Sequence, residues 1–147
     1  MQAFLCYSRR DKKIAERLCE ELELFCDVWV DWDDIAGGSP WEEAIWKGII
    51  QSDYFVILVS EASTASPWCQ KEVNIAQRLG KPVFPVVLDD RNIPPNLAKL
   101  QWIVFDSSMD DVVRDLLAAF GHRHPDLIRS FLWIVAIAQF LLLLVKN

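Results

Sequence analysis

Residues 3–7, Ala-Phe-Leu-Cys-Tyr, form a short apolar run closed by Ser8-Arg9-Arg10-Asp11 and predict a first strand. Ile14, Ala15, Leu18, Cys19 and Leu22 then recur at helical spacing, which predicts a helix over 11–24. Residues 27–31 predict a second short strand, and 32–40 a loop punctuated by Gly37, Gly38 and Pro40. A helix follows over 41–51, with Glu42 and Glu43 at the positive end of its dipole. Residues 54–60 are unbroken apolar positions rich in β-branched side chains, as expected of a strand covered on both faces. Ser66 reads as an N-cap, Pro67 as a first helical residue and Gly80 as a stop, so a helix is expected over 67–79. Residues 82–88 predict a fourth strand, although Pro82 and Pro85 are awkward for a central ladder. After a loop over 89–95, residues 102–105 predict a fifth strand, and Ser107 or Ser108 caps a helix over 110–120. Strands alternating with helices mean an α/β chain, here a flavodoxin-like three-layer fold with a five-stranded parallel sheet in the order 2-1-3-4-5.

In such a sheet, ligands bind at the carboxyl ends of the strands, where the strand order reverses. Tyr7, Ser8, Arg9 and Arg10 follow strand one, Asp31 and Asp33 follow strand two, and Ser60 ends strand three. The helix opened by Ser66 shares that edge and carries Glu72 between its first and second turns. Its Cα–Cβ bond tilts back toward the helix start. A solvated helical Glu usually has a Lys or Arg three or four positions away. Those positions here hold Trp68, Cys69, Ile75 and Ala76, an aromatic and apolar stripe that suits a pocket.

The chain has 147 residues, enough for one domain of ordinary size plus an appendage. Its net charge of −6, with no basic cluster along any predicted face, argues against nucleic-acid binding through phosphates. Cys6, Cys19, Cys26 and Cys69 show no CxxC pairing and no metal spacing with His122 or His124. They are expected as reduced thiols of a cytosolic domain, Cys6 and Cys19 in its core. No signal peptide is expected, since Met1 runs almost directly into a strand. The domain is expected to end near residue 121, with 122–127 as a connector. Residues 128–145, apolar but for Arg129, Ser130 and Gln139, predict a hydrophobic helix of roughly 27 Å, near the thickness of a bilayer core. Burial in an oligomer or packing on the domain would also satisfy it, but a small domain hardly covers such a helix on every side. A membrane anchor is the expectation taken forward, with Arg123 and Arg129 placing the N-terminal domain on the cytosolic side of a lipid bilayer.

Several motifs fall away. Asp31-Trp32-Asp33-Asp34 resembles the opening of a calcium loop, but Ile35 and Ala36 stand where it needs an oxygen ligand and Gly. A phospho-acceptor receiver needs acidic residues after strands one and three, where this chain has Tyr7-Ser8 and Ser60. Neither GxGxxG nor GxxxxGK[ST] occurs. Trp41 lies near the loop, and Trp46, five positions on, is expected in the core.

Phe4-Leu5-Cys6-Tyr7-Ser8-Arg9-Arg10-Asp11 resembles the first box of TIR (Toll/interleukin-1 receptor) domains, especially their bacterial branch. Asp31 followed by Gly38 and Trp41 resembles the family's BB loop, the loop after the second strand. Ser66-Pro67-Trp68-Cys69-Gln70-Lys71-Glu72 is similar to the motif that holds the catalytic glutamate of enzymatic members. The chain departs from those members at Ala36, where they often carry an acidic residue.

The resemblance implies cleavage of NAD⁺ between nicotinamide and ribose, with Glu72 catalytic, NAD⁺ as substrate, and no cofactor or metal. It further implies that Tyr7 and Trp41 flank the adenine or nicotinamide rings and that Arg9 and Arg10 meet phosphates. Asp31 would position the BB loop, and Trp68 and Cys69 would line the nicotinamide end. It also implies self-association through the BB loop into oligomers or filaments, in an effector of the bacterial defence type. The rival expectation is a non-catalytic scaffold at the membrane that only binds other TIR domains.

Overall fold

In a computed structural model of the chain, the described residues are 1–30, 41–89, 93–106 and 108–123. Contact density divides the chain into two compact units, Met1–Val113 and Arg114–Asn147. The hydrophobic helix expected over 128–145 lies outside the described residues, among which no helix is long and apolar enough to cross a membrane.

Five strands form one parallel sheet: β1 (Gln2–Cys6), β2 (Asp27–Val30), β3 (Tyr54–Val59), β4 (Val83–Val87) and β5 (Ile103–Val104). Their order is β2-β1-β3-β4-β5, as the alternation of elements predicts. The apolar runs of β1 and β3 lie side by side in the middle, Leu5 opposite Val56 and Cys6 opposite Ile57. The half-covered β2 and the two-residue β5 take the edges. Side chains alternate between the two sheet faces. Phe4, Cys6, Phe55, Ile57 and Val59 therefore share one face, packed with Ile45 and Ile49 of α2 (Trp41–Gln51) and Val73 and Ala76 of α4 (Pro67–Arg78). The crossover from β1 to β2 runs the opposite way along the sheet, so right-handedness puts α1 (Lys12–Leu22) on the other face. It buries Ala15, Leu18, Cys19 and Leu22.

Local chemistry sets the ends of α4. The Ser66 hydroxyl accepts from the Cys69 N–H at 3.4 Å, and Pro67 opens the first turn. At the other end Gly80 takes φ +66, the Gly80 N–H donates to the Gln77 carbonyl and the Lys81 N–H to the Ala76 carbonyl. That is a Schellman close, which needs the left-handed residue.

Two features depart from the expectations. A short helix, α3 (Glu61–Ala65), follows β3 directly, capped by Ser60 and Ser63 exchanging side chain-to-backbone hydrogen bonds. Pro85 sits inside β4 without disturbing the ladder, for a reason visible in the register. The Pro82 carbonyl accepts from Phe55 and the Leu88 N–H donates to Val59, so even-numbered residues of β4 face β3. The Val87 carbonyl accepts from Phe105, so odd-numbered residues face β5. Because β5 pairs only with Val86 and Val87, the missing N–H of Pro85 lies beyond its start. The last described helix, α5 (Met109–Arg123), carries Asp110 and Asp111 in its first turn.

Candidate functional site

The carboxyl edge of the sheet gathers the turn after β1, the start of α3 and the first half of α4. Tyr7 and Ser8 continue β1 and are half-buried, and the Ser8 carbonyl accepts from the Asp11 N–H at 2.7 Å to start a tight turn. Arg9 and Arg10 lie exposed on that turn. Asp11 closes it and reaches across the edge: the Ser60 hydroxyl donates to Asp11 Oδ2 at 2.6 Å while accepting from the Ser63 N–H at 3.1 Å. One serine thus ties the first turn of the chain to the helix after β3. Asp11 has no counterpart among the residues expected at the site, and its only signal was its place after Ser8-Arg9-Arg10.

Glu72 is 7% exposed, turned inward from α4. Its carboxylate lies close enough to the thiol of Cys6, the last residue of β1, to help push that thiol's pKa up. A carboxylate removed from water is costly unless hydrogen-bonded or paired, and among the described residues no buried side-chain polar atom lacks a partner. Beside Glu72 lies a small recess between α2 and α4, about 10 Å³, walled by Glu42, Ile45, Trp46, Trp68, Lys71 and Ile75. Lys71 spans its rim, its Nζ 2.8 Å from Glu42 Oε1 and 5.1 Å from the centre of the Trp68 ring. Trp68, 45% exposed, therefore stands next to Glu72, as the helical spacing predicts. Trp46 does not belong to the core as expected. It is 39% exposed and forms part of this recess, because α2 turns Ile45 and Ile49 to the sheet and its neighbouring stripe to α4.

Cys69 points elsewhere on α4. It is 3% exposed, its sulfur beside the Cys6 thiol and the Ser66 hydroxyl, and it lines a separate cavity of about 400 Å³. The bond from Cys6 holds the Cys69 thiol below its ordinary pKa, against burial. Burial, and then bonds to Cys69 and Glu72, push the Cys6 thiol up. Sequence spacing assigned Cys6 only to the core and had no means of showing this contact. Asp31, Asp33 and Gly38 lie outside the described residues, as does the side chain of Trp41, the first residue of α2. Among the described residues no cluster of three or more His, Cys, Asp or Glu is placed to hold a metal. A carboxylate held in so dry a place acts strongly on positive charge brought against it.

A parallel five-stranded sheet in the order β2-β1-β3-β4-β5, with a buried carboxylate on α4, the second helix after β3, defines an α/β domain of the flavodoxin-like class, in which ligands bind at the carboxyl edge. The TIR domain family matches residues 3–117, and the chain belongs to that family. Solved structures share its fold. The TIR domain of the Toll-related receptor TRR-2 from Hydra magnipapillata is 21% identical with a TM-score of 0.68, over 80% of this chain and 95% of that one. The CMP N-glycosidase BcmB of Clostridium botulinum is 16% identical with a TM-score of 0.60, over 81% and 99%. The TIR domains of the activated Roq1 resistosome are 19% identical with a TM-score of 0.53, over 86% and 76%. No curated protein sequence matches the chain.

Proposed function

We propose that this TIR domain cleaves NAD⁺ at the nicotinamide–ribose bond, with Glu72 as the catalytic carboxylate. The observation that carries the reading is the burial of Glu72 at the carboxyl edge, beside an aromatic ring rather than in solvent. The leaving nicotinamide is already a pyridinium cation, so no strong general acid is needed. The transition state resembles an oxocarbenium ion, as in glycosidases. A carboxylate close to the ribose hydroxyls stabilises that charge as it develops. Water capturing the cation yields ADP-ribose, and an internal nucleophile yields a cyclic isomer. The fold shared with a CMP N-glycosidase supports chemistry at an N-glycosidic bond.

Activation by self-association fits the same geometry. Among the described residues the recess beside Glu72 is about 10 Å³, room for one water at most, so in the proposal a dinucleotide also needs the segment after β2. In the proposal the BB loop, within residues 32–40, of one copy completes the site of its neighbour, as suits a fold shared with the TIR domains of a resistosome. A membrane anchor over 128–145 would raise the local concentration of copies, and the protein then acts as an NAD⁺-consuming defence effector on the cytosolic side.

The test is NAD⁺ consumption by concentrated or crowder-clustered protein, with products separated by chromatography. Glu72→Gln keeps the size of the side chain and is expected to lower turnover by about a hundredfold or more, with an unchanged melting curve. Turnover retained by the Gln variant in clustered protein refutes the assignment. The small size of the recess favours one other reading, a scaffold that only binds other TIR domains. Under it, clustered wild-type protein consumes no NAD⁺, and Glu72→Gln assembles normally.

A further inference from the structure

Cys69 stands between two environments. On one side it lines the cavity of about 400 Å³, walled also by Ile57 and Val59 of β3, Val73 of α4, and Pro94 and Leu97 before β5. On the other, its sulfur meets the Cys6 thiol, which in turn meets the Glu72 carboxylate. Both cysteines are buried in one core cluster where α4 packs on β1. The cavity far exceeds the roughly 10–15 Å³ that one water requires, so it has room for a molecule of peroxide size against Cys69.

We infer that Cys69 is a site of oxidation by peroxides, that Cys6 is its resolving thiol, and that the resulting disulfide silences the site around Glu72. In the first step the Cys69 sulfur attacks one peroxide oxygen. The O–O bond breaks, the departing hydroxide takes up a proton as water, and Cys69 becomes a sulfenic acid. In the second, the Cys6 sulfur attacks Cys69 Sγ, the S–O bond breaks, and the hydroxyl leaves as water with the Cys6 proton. Two thiols thereby lose two protons and two electrons, and one peroxide is reduced to two waters.

The surroundings select this pair. Hydrogen bonds from Cys6 and Ser66 favour the thiolate of Cys69 against burial and the carboxylates of Glu72 and Asp11. Burial, then the Glu23 carboxylate, raises Cys19 to about 12, and burial raises Cys26 to about 11. Those two also lie close enough to sense each other's charge, so they are the competing pair. Once Cys6 is in a disulfide, it has no S–H for the Glu72 carboxylate. The effect on turnover rests on the reading of Glu72 as catalytic, whereas the pairing of the thiols does not.

The experiment treats the full chain with hydrogen peroxide, then follows NAD⁺ turnover and a non-reducing peptide map side by side. The expected result is a linked Cys6–Cys69 peptide lighter by two hydrogens. Turnover should fall in proportion to the linked fraction, and a dithiol should restore both. Cys6→Ser is expected to leave Cys69 advancing to a sulfinic acid that no dithiol reverses, and the wild-type map decides the matter even if that variant does not fold. A map with no Cys6–Cys69 peptide, with only a Cys19–Cys26 link, or with full linkage and undiminished turnover overturns the inference. If the reduced chain consumes no NAD⁺, the proposed function fails by itself and the map still decides the pair.

Discussion

Replacing Gly48 with alanine probes the packing that carries the chain into residues 31–40. Gly48 is buried in α2 against Trp29 of β2, and an added Cβ would lie 2.8 Å from Trp29 Cδ2 and Cε2 and 3.1 Å from Cε3. Carbon pairs rest at about 3.5–4.0 Å, so two atoms overlap by roughly 0.7 Å or more. The ring has little room to yield. It stacks on Phe4 at 4.8 Å and 15°, and Phe4 stacks on Phe55 at 5.2 Å and 8°. Helix propensity favours alanine by about 1 kcal/mol, overpacking costs about 1–3 kcal/mol, and a disturbed aromatic stack loses about 0.5–1.5 kcal/mol per pair. The net expectation is a loss of about 1–2 kcal/mol, or a melting point lower by roughly 3–8 °C. Denaturant unfolding should show a lower midpoint with an unchanged m-value. Trp29→Leu should remove most of the penalty in a double-mutant cycle. Gly80→Ala is the comparison: its Cβ meets nothing within 4 Å, but φ is +66. It should lose about 1 kcal/mol through the backbone alone, with no relief from Trp29→Leu. A Gly48→Ala chain as stable as the wild type refutes the reasoning.

Ser60→Ala removes both the 2.6 Å bond to Asp11 and the cap on the Ser63 N–H. Unfolding in urea should show a loss of about 1–2 kcal/mol, and an unchanged midpoint shows that the clamp contributes nothing. Alkaline pH should also destabilise the fold. The thiols of Cys19 and Cys26 are raised from the ordinary value near 9 to about 12 and about 11, so the unfolded chain gives up these protons first. Their contribution is complete below about pH 9 and drains away as pH climbs through the raised values. Melting points across that range should decline, and less steeply in a Cys19→Ala/Cys26→Ala variant; an identical slope in the variant contradicts the assignment.

Most of the architecture was readable locally. The apolar runs of β1 and β3 mark central strands, because a strand covered on both faces has no polar side to show. Ser66-Pro67 and Gly80 bound α4 through caps that depend only on neighbouring backbone groups. The five-residue α3 escaped because Glu61–Ala65 is too short to carry a helical period. Its only sign was the spacing of Ser60 and Ser63. Pro85 looked unfit for β4 because the length of the neighbouring β5, which decides whether its N–H is missed, is not written in β4 itself. At the site, Glu72 and Trp68 were legible as one stripe of a helix. The position of Trp46 was not, since helical spacing does not say which second element covers a given face.

Period, caps and turn residues act over a few positions, so the chain by itself settles the longer elements, their order and the caps that bound them. It does not settle what meets across the carboxyl edge of the sheet. The approach of Cys6 to Cys69 and Glu72, the seating of Gly48 on Trp29, and the separation of a small recess from a larger cavity on α4 all depend on how helices dock over a registered sheet. Docking is set by side-chain volumes from segments tens of residues apart, and no local pattern records that sum.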